Sequence, residues 1–596
     1  MKEYNWIYKE PNPFLISDYE EHQVPRLLAR VLANRDMDYD TFQKIRHKFW
    51  DMVYDYMKNI VNLNEAADRI IEIMKDPNYR IFIFSDYDAD GITSASTVLK
   101  TWPLIRRDIC DTEPYYSIDC YVPNRKEGYG LNMDWCKNLA NDFKQEPYSV
   151  IKYVVITFDN GVSKVDEVKY LQDNGIEVIV TDHHEPQQTL PDCLIVDPKK
   201  DVDKFGEELC GSGIAWILTM TIFMKLKEDK TKLNEDTINQ IKASIGNAAV
   251  GTVADMMPMT SFNISLVYNG LKYLNSDNKP VPCPYDPLKE YFNIDKITGK
   301  DIGFNIGAAI NGCGQMGDII SALHLFACEP EEMESAAARV YELYSKARDI
   351  TKKAKKKLDD EIAAGLFKED LFCIYVAEDV PEGIAGKLAN HITNTLGKPA
   401  IVTISNNNQN EWKGSGRSGN YTIDLLDILR PLIKEGLLKE AAGHKAACGV
   451  VLYPGKIDEL RKAVNDSVAK KIENGESRLK IVSNISVDAQ IGVKDINKDT
   501  YNLLCEIPYS MNFSNPIFSI HGELLNVKRS LSNPNNICYT LKDISSRDKI
   551  DIWAWNIKPN LYKGNEKYMQ IVGTIEPNFM KPGQITMSVI DLRFIQ

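Results

Sequence analysis

Three carboxylates stand on alternate residues directly after a short apolar run in "RIFIFSDYDADGIT", residues 80–93. They are Asp86, Asp88 and Asp90, and Gly91 follows at once. Like charges at this spacing repel one another and raise one another's pKa unless a cation compensates them. The spacing therefore predicts a cation-binding site at the end of this run.

Two further apolar runs end in residues of the same chemistry. "YVVIT" leads to Asp159, and "IEVIVT" leads to Asp182, His183 and His184. A fourth run, "AAVGTVADMMPM", carries Asp255, which we expect at a strand end as well. Carboxylates mixed with imidazole suit Mn²⁺ or Mg²⁺ better than a metal that prefers thiolates. These ligands exceed the needs of one ion, so we predict a two-metal site.

An isolated "DxDxDG" is also compatible with an Asx-rich turn or with the calcium loop of a helix–loop–helix unit. The calcium loop requires glutamate at its twelfth position. Counted from Asp86, that position is Thr97, so the calcium loop is excluded. The acids and histidines after the other runs disfavour a simple turn.

The apolar runs must lie on strands if they are to deliver these side chains to one place. Residues 81–84, 153–157 and 176–181 are short and rich in Ile and Val, as buried parallel strands are. "SKVDEVKYLQDNG" between the last two has helical periodicity and ends at Gly175, so the unit is strand–helix–strand in a parallel sheet. Ligands bind at the carboxyl ends of such strands.

Elsewhere the sequence predicts helices over residues 1–76 and a long helix over 331–364, which contains neither Gly nor Pro. The lysine run "KKAKKK" (352–357) on that helix is either a basic surface or a solvated face. Short strands alternate from residue 480 onward. Two G-x-G-x-x-G matches, "GCGQMG" (312–317) and "GSGRSG" (414–419), lack the context of a dinucleotide site. The second match, "GSGRSG", predicts an anion nest in which backbone amides, Ser415 and Arg417 hold a phosphate.

Composition bounds the class of protein. The chain has 596 residues, of which 44% are hydrophobic and 26% charged, which is typical of a globular protein with several domains. It shows neither an apolar stretch of membrane-spanning length nor an apolar leader at its start, so we expect a cytoplasmic protein without a membrane role. Its 12 cysteines form no C-x-x-C pair. With a net charge of −13, a nucleic-acid site would have to be a local basic groove.

The motifs taken together carry a family resemblance. "DYDADG", "FDNG", "TDHHEP" and "GTVADMMP", in this order, resemble the motifs of the DHH phosphoesterase superfamily. Further segments resemble the RecJ-like single-strand-specific 5′→3′ exonucleases within it: "YVPNRKEGYGL" (121–131), "GSGRSG" (414–419), "AAGHKAACG" (441–449) and "IPYSMNFSNPIF" (507–518).

The resemblance covers the chain from about residue 80 to the C-terminus, and together with the helical residues 1–76 it implies an α/β chain in five parts. They are an N-terminal helical segment (1–76), a parallel-sheet DHH domain (77–328), a connecting helix (329–366), a smaller α/β DHH-associated domain (367–472) and an OB-like β-barrel (473–596). The barrel would bind nucleic acid, and four aromatic residues are available for base stacking: Tyr539, Trp553, Trp555 and Tyr568. Most of these four residues are equally compatible with a place in the core.

The activity implied is metal-dependent exonuclease digestion of single-stranded DNA, 5′→3′ to mononucleotides, in DNA repair and recombination. The implied cofactor is two Mn²⁺ ions, with Mg²⁺ as the alternative metal. Single-stranded DNA is the expected partner of a monomeric enzyme, with a single-strand-binding protein or a helicase as candidate protein partners.

The resemblance also implies roles for individual residues. The metal ligands would be Asp86, Asp88, Asp90, Asp159, His183 and Asp255. The catalytic set would be Asp159 as the bridging ligand, His183, His184 against the phosphate, and Asp182 orienting an imidazole. The 5′-phosphate would be held by Arg125, Ser415, Arg417 and His444.

Two positions depart from the family pattern. Gln315 in "NGCGQ" stands where the family has arginine, and Ile264 in "TSFNISL" occupies another usual arginine position. A missing arginine near the scissile phosphate is open to replacement by a nearby lysine. The departures leave two alternatives: a phosphodiesterase for short oligonucleotides or cyclic dinucleotides, and a catalytically weak single-strand-binding scaffold. DNA and RNA are not distinguished by these residues.

Overall fold

The computed structural model describes most of the chain, and every structural statement below concerns the described residues. These are residues 3–201, 204–405, 410–419, 423–475, 482–505, 507–510, 513–531, 535–555, 567–578, 581 and 583–595. They form a parallel-sheet α/β domain, a long helix, a smaller α/β domain and a C-terminal sheet that is mostly antiparallel. Among them, no helix combines the length and the hydropathy that a membrane span needs.

The N-terminal stretch opens with a strand and continues as helices. Its elements are β1 (Glu3–Tyr8), α1 (Pro13–Glu21), α2 (Arg26–Ala33), α3 (Tyr39–His47), α4 (Phe49–Asn59) and α5 (Leu63–Lys75). The side chains of Asn12 and Asp38 accept hydrogen bonds from the first turns of α1 and α3, as N-cap residues do. Five helices thus lie in the stretch predicted to be helical, and β1 was not predicted.

Five parallel strands form the sheet of the first α/β domain. The elements are β2 (Tyr79–Ser85), α6 (Ala89–Ile109), β3 (Ile118–Tyr121), α7 (Met133–Lys144), β4 (Lys152–Phe158), α8 (Val165–Asp173), β5 (Glu177–Thr181) and β6 (Leu194–Val196). The strand order is β3-β2-β4-β5-β6. Apolar clusters cover both faces, one around Trp102 and Trp216 and the other around Leu139 and Leu171. Strands covered on both faces read as continuous apolar runs, which is why the parallel sheet was predictable.

Helices follow the sheet and end in one long helix. They are α9 (Gly211–Glu228), α10 (Glu235–Ala243), α11 (Ile245–Ala254), α12 (Ser261–Leu274), α13 (Tyr285–Tyr291), α14 (Gly299–Asp301), α15 (Gly307–Gln315), α16 (Ile319–Ala327) and α17 (Met333–Ala363). A π-helical turn, Ile302–Ile306, joins α14 to α15. α17 has 31 residues and lies within the predicted connecting helix. Its length of roughly 45 Å separates the two α/β domains along the chain.

The second α/β domain has a mixed sheet. Its elements are β7 (Cys373–Ala377), α18 (Ala385–Leu396), β8 (Ala400–Ile404), β9 (Trp412–Arg417), α19 (Leu425–Lys434), β10 (Leu438–His444), β11 (Ala447–Leu452) and α20 (Ile457–Glu473). The strand order is β10-β11-β9-β8-β7, and the β7–β8 pair is parallel. α18 packs with α17 on one face of this sheet, while α19 and α20 cover the other face.

The C-terminal part has seven strands, of which six form one sheet and β12 pairs with β1. Its elements are β12 (Val482–Val487), β13 (Ala489–Gln490), α21 (Lys498–Cys505), β14 (Phe518–Arg529), β15 (Ile537–Asp543), β16 (Lys549–Ala554), β17 (Tyr568–Pro577) and β18 (Ile585–Ile595). The strand order is β16-β15-β14-β17-β18, with β13 beside β14. In the part of the chain that is described, no ladder joins β16 to β18, so a closed OB-like barrel is not confirmed.

The aromatic residues predicted for base stacking have different environments. Tyr539 is fully buried and belongs to the core, which decides between the two alternatives for this residue in favour of the core. Trp553 and Trp555 stack on each other with ring centroids 5.6 Å apart and an interplanar angle of 17°. Trp555 and Tyr568 are exposed. Trp555, with Trp553 stacked on it, and Tyr568 are therefore the members of this set that a base can reach.

The two ends of the chain are joined. β1 pairs in parallel with β12, from Glu3 opposite Val482 to Tyr8 opposite Val487. Beside this pair, Arg35 Nη1 lies 3.0 Å from Asp488 Oδ1, with side chains 7% and 4% exposed. The main apolar core continues from α2 and α3 through α15 and α16 into β14 and β15. The N-terminal segment therefore packs against both the C-terminal part and the first α/β domain and connects them.

We expect Arg35→Ala to lower the free energy of unfolding by about 3–5 kcal/mol, because it leaves a buried carboxylate without its cation. Urea denaturation of the full chain measures the change. Arg461→Ala is the matched control, since its ion pair with Asp458 is exposed (37% and 94%) and should contribute at most about 1 kcal/mol. Equal losses of unfolding free energy in the two variants would show that the Arg35–Asp488 ion pair does not stabilise the contact between the N-terminal segment and the C-terminal part.

Candidate metal centre

The carboxyl ends of β2, β4 and β5 bring the predicted acids and imidazoles together. Asp86 follows β2, Asp159 follows β4, and Asp182 with the two histidines follows β5. β4 pairs in parallel with β2 on one side and with β5 on the other, so the three ends share one edge of the sheet. This is the edge at which ligands bind in open parallel sheets.

The potential ligand atoms form three overlapping groups, each within 4.8 Å: Asp86, Asp88 and Asp159; Asp90, His183 and Asp255; and Asp159, His183 and His184. Asp159 Oδ1 lies 3.0 Å from His183 Nε2. Asp90 Oδ2 and Asp255 Oδ2 lie 3.7 Å and 3.8 Å from the same nitrogen. The structure thus brings together all six residues predicted as metal ligands, with Asp159 between the two sets of acids.

Two of the acids stand at the start of α6. Asp88 is its N-cap residue and accepts hydrogen bonds from the N–H groups of Asp90 and Gly91 at 2.9 and 3.1 Å. The carboxylate of Asp90 accepts from the N–H groups of Gly211 and Ser212 at 2.6 and 2.9 Å. These amides open α9, and the positive end of the helix dipole stabilises a carboxylate there. Both side chains are therefore held in position before any ion binds.

Asp255 reaches the site from a helix and not from a strand. It caps the C-terminus of α11, and its side chain is 30% exposed. The prediction of a strand end here is wrong, because a short apolar run does not by itself distinguish a buried helix from a strand. α11 approaches closely because residue 251 is glycine: a Cβ there would lie 1.9 Å from Ser212 Oγ and 2.4 Å from Asp90 Oδ1.

Glycines also allow the close approach of the other elements. A Cβ on Gly91 would lie 2.3 Å from the carbonyl oxygen of Asp86, and one on Gly211 would lie 2.5 Å from Asp159 Cβ. Both contacts are shorter than van der Waals packing permits. The glycine that follows the three acids is therefore required by the geometry of the site.

The turn after β4 holds Asp159 in an unusual backbone conformation. Its φ is +61°, which lies in the left-handed region. Residues other than glycine are rare in this region because the conformation costs free energy. Asn160 stabilises the turn by donating to the carbonyl of Phe158 at 2.8 Å and accepting from the N–H of Leu131 at 3.1 Å. The turn directs the Asp159 side chain into the cluster of acids.

Asp182 positions the histidine pair. One of its oxygens accepts from the backbone N–H of His183 and from His184 Nδ1, both at 2.8 Å. Its other oxygen accepts from the N–H of Val162 at 2.9 Å. Through these hydrogen bonds the carboxylate of Asp182 orients the ring of His184. Carboxylates that accept from the imidazoles of metal sites orient them in the same way.

The two imidazoles have opposite pKa shifts. Burial lowers the pKa of His183 to about 4, and the charge of His184 acts in the same direction. Burial would also lower the pKa of His184, but the hydrogen bond and charge of Asp182 outweigh it and raise the pKa to about 9. Burial therefore favours the neutral form of His183, the form that a metal ion requires, while Asp182 favours the protonated form of His184.

Tyr129 is a neighbour of the site that the sequence analysis missed. Its hydroxyl donates to the backbone carbonyl of Asp159 at 2.9 Å and lies 2.9 Å from His184 Nδ1. It belongs to "YVPNRKEGYGL", which carries part of the resemblance. No local pattern marks its role, since both partners lie far along the chain.

The electrostatics of the acids fit a divalent cation. Burial, followed by the charge of Asp88, raises the pKa of Asp86 well above its ordinary value, and burial with the charge of Asp90 does the same for Asp159. Burial and the charge of Asp90 raise the pKa of Asp255 to about 8. Buried oxygens of Asp86 and Asp159 have no hydrogen-bond donor among the described residues. Cations would satisfy these oxygens and offset the repulsion, and oxygen ligands with one imidazole fit Mn²⁺ or Mg²⁺.

The predicted phosphate-binding residues come from both α/β domains. Arg125 follows β3, and its guanidinium lies 4.9 Å from the ring centroid of Tyr87, the residue between Asp86 and Asp88. Ser415 and Arg417 lie on β9, where Arg417 Nη1 donates to Ser415 Oγ at 2.7 Å. The side chain of His444, the last residue of β10, lies outside the described part of the structure.

Both glycine-rich segments have structural roles, and that of "GSGRSG" differs from the prediction. Residues 412–417 form β9, which pairs with β8 on one side and β11 on the other. Its backbone is engaged in the sheet, so the predicted nest of backbone amides is wrong and the side chains alone remain available. "GCGQMG" begins in α15, where a Cβ on Gly312 would lie 3.2 Å from Tyr344 Cα in α17.

The two departures from the family pattern have different surroundings. Ile264 is buried in α12 and lines a small cavity with Phe42 and Ile45 of α3, so it is a core residue. Gln315 ends α15, and its Oε1 accepts a hydrogen bond from Lys387 Nζ at 2.7 Å. Lys387 comes from the second α/β domain and was not singled out by the sequence.

Two family models match the chain. The N-terminal domain of the DHH family matches residues 80–245, and the DHHA1 domain matches residues 369–470. The first match contains the acids and histidines that follow β2, β4 and β5, while Asp255, at the end of α11, lies beyond it. The second contains Ser415, Arg417 and His444.

Curated relatives and a solved structure agree with these matches. The single-stranded-DNA-specific exonuclease RecJ of Bacillus subtilis (strain 168) is 28% identical to this chain over an alignment of 599 residues. The alignment covers 96% of this chain and 68% of that protein. The protein of the same name from Escherichia coli (strain K12) is 25% identical over 593 residues and 96% of either chain. The crystal structure of RecJ in complex with Mn²⁺ from Thermus thermophilus matches all of this chain and 80% of that one, with a TM-score of 0.78 at 20% identity. At that identity the structural match shows a shared fold.

Proposed function

We propose that this chain, a RecJ-like member of the DHH superfamily, is a metal-dependent exonuclease that degrades single-stranded DNA 5′→3′ to mononucleotides. The observation that carries the proposal is the overlapping set of carboxylates and imidazoles at the sheet edge, with Asp159 shared between groups. Two ligand sets around a shared carboxylate are what two-metal phosphodiester hydrolysis requires. The names of the relatives support single-stranded DNA as the substrate. The role in DNA repair and recombination rests on the family resemblance alone.

Each ligand set has a place in this proposal. Asp86 and Asp88 would hold one ion, and Asp90, His183 and Asp255 would hold the other. Asp159 would be a ligand of both, in keeping with its membership of two ligand groups. When bound, Mn²⁺ or Mg²⁺ ions supply an activated water and charge compensation for the phosphate.

The chain's own residues then bind and orient the phosphodiester. His184, fixed by Asp182 and adjacent to Tyr129, presents a proton-bearing ring to a phosphate oxygen as negative charge develops. Asp182 is a positioning residue, because its oxygens are bonded within the protein.

The 5′ end is held between the two α/β domains in this proposal. Arg125 reaches from the first domain, and Ser415 and Arg417 reach from β9, with His444 assigned to the same pocket by resemblance. Guanidinium groups form paired hydrogen bonds with phosphate oxygens. Anchoring the terminal phosphate beside the metal centre would set both the direction of digestion and the size of the product.

We also propose the division into the five units 1–76, 77–328, 329–366, 367–472 and 473–596, with the last acting as an OB-like platform for single strands. The edge strands β16 and β18 of that unit lie next to each other, as a nearly closed barrel requires. On the family resemblance, we place a monomeric enzyme in the cytoplasm, with a single-strand-binding protein or a helicase as its protein partner.

If the C-terminal unit is a stacking platform, Trp555→Ala should weaken the binding of long single strands by about 1–3 kcal/mol. Fluorescence anisotropy in EDTA measures binding without digestion. Trp50→Ala is the matched control, since Trp50 on α4 is 50% exposed and Trp555 is 47% exposed. Unchanged affinity for long strands would rule out the tryptophan pair as the platform. The full chain is used because the core continues into this unit.

One assay tests the proposed function. Single strands labelled at the 5′ or the 3′ end are incubated with the protein and Mn²⁺, beside a duplex, an RNA strand and a cyclic dinucleotide. The 5′ label should appear at once as mononucleotide, while the 3′ label should pass through progressively shorter strands. Release from the 3′ end, equal digestion of duplex, or preference for the cyclic dinucleotide would contradict the proposal.

A further inference from the structure

The two α/β domains meet at the contact between α15 and α18, and a lysine stands at this contact. Lys387 is on the first turn of α18 and donates from Nζ to Gln315 Oε1 at 2.7 Å. The backbones approach closely here, since a Cβ on Gly383 would lie 2.7 Å from Gln315 Cα. The ammonium group is thus held at a defined place between the domains.

The surroundings of Lys387 are basic. The neighbouring residue, Gly386, packs against β9: a Cβ there would lie 3.0 Å from Arg417 Nη2 and 3.4 Å from Ser415 Oγ. Burial lowers the pKa of Lys387, and the charges of Lys355 on α17 and of Arg125 act in the same direction. Positive groups from three parts of the chain therefore face the same space.

In the described part of the chain, Lys387, Arg125 and Arg417 form no salt bridge. The hydrogen bond of Lys387 goes to a neutral amide, Arg125 lies over the ring of Tyr87, and Arg417 donates to Ser415 and to the carbonyl of Gly416. A salt bridge would serve as well to join two domains, but it would cancel the charge. An amide acceptor orients the ammonium group and leaves its charge available to an anion.

This group of cations borders the metal centre. Tyr87, which lies under Arg125, separates Asp86 from Asp88 in sequence. A Cβ on Gly314, the residue before Gln315, would lie 3.1 Å from the carbonyl oxygen of Tyr87. A contiguous path of contacts therefore leads from the metal-binding carboxylates through Tyr87 and Gln315 to Lys387.

We infer that Lys387 binds a backbone phosphate of the substrate strand between the metal centre and the Ser415–Arg417 pocket, and that Gln315 positions it. The inference rests on the proposed function, since a phosphodiester is the anion which that function brings to the contact between the two α/β domains. It also accounts for Gln315 in place of the expected arginine. The positive charge missing from α15 is supplied from the opposite domain by α18.

Binding in EDTA tests the inference without catalysis. The affinity of the full chain for a fluorescent 5′-phosphorylated oligothymidine is measured over a range of salt concentrations, for wild type and Lys387→Gln. We expect about tenfold weaker binding from loss of one charge-assisted contact. The slope of log affinity against log salt should also become flatter by about 0.7, the value for one phosphate contact on a single strand. Loss of a purely structural contact would not change the slope.

Two further variants make the test specific. Lys462→Gln removes an exposed lysine of α20, on the other face of the same sheet, and should leave both affinity and slope at wild-type values. The exchange variant Lys387→Gln/Gln315→Lys places an ammonium group at the same contact, but from the first domain. We expect its affinity for the oligothymidine to lie within about threefold of wild type.

An unchanged salt slope in Lys387→Gln would overturn the inference, as would an exchange variant that binds no better than the single variant. The outcome is distinguishable from failure of the proposed function. A wild-type protein that binds the strand but does not digest it with Mn²⁺ contradicts the function, while the comparison of salt slopes still decides whether Lys387 contacts a phosphate.

Discussion

Asp159→Asn is expected to reduce Mn²⁺-dependent digestion of single strands by more than about a thousandfold. Asp159 belongs to two of the three ligand groups, one with acids and one with the histidine pair, so its loss affects both ions at once. Asparagine has nearly the same shape and tolerates the left-handed backbone at this position, where φ is +61°. The variant should therefore fold and should bind single strands in EDTA with nearly wild-type affinity.

Calorimetric titration with Mn²⁺ gives a second measurement on the same variant. The wild type should bind two ions, and Asp159→Asn should bind fewer or bind both much more weakly. Asp173→Asn, an exposed acid of α8 outside the site, is the control and should match wild type in rate and stoichiometry. Digestion above a tenth of the wild-type rate in Asp159→Asn would reject the assignment of a shared ligand.

Arg417→Ala and Arg125→Ala should each reduce the preference for a 5′-phosphorylated strand over a 5′-hydroxyl strand. A charge-assisted contact of about 1.5–3 kcal/mol corresponds to roughly ten- to hundredfold in rate when it is made in the transition state. Arg417→Lys should recover little, because lysine lacks the planar fork that matches a phosphate. The measurement is the ratio of initial rates on the two 5′ ends for each variant.

Arg430→Ala is the control for charge, since Arg430 is an exposed residue of α19 in the same domain. Its ratio of rates should equal that of the wild type, and Mn²⁺ stoichiometry should be unchanged in all of these variants. If the wild type shows no preference, or if Arg417→Ala slows both substrates equally, Arg417 does not hold the terminal phosphate.

The sequence by itself determined the parallel sheet and the edge at which its acids gather. A buried parallel strand needs a continuous run of Ile and Val, and the residue after the run then lies at the ligand-binding edge. This local rule places Asp86, Asp159 and Asp182 without knowledge of any other segment. The long helix α17 was predictable for a similar reason, because a stretch without Gly or Pro does not end early.

Tertiary structure decided the features that depend on segments distant in the sequence. Asp255 comes from the end of a helix, and Tyr129 reaches the carbonyl of Asp159 from another connection. β1 joins a strand that lies near the other end of the chain, and "GSGRSG" became a paired strand instead of a loop. The contact of Lys387 with Gln315 spans 72 positions. Periodicity reports which face of an element is buried, but it carries no information on which distant element covers that face.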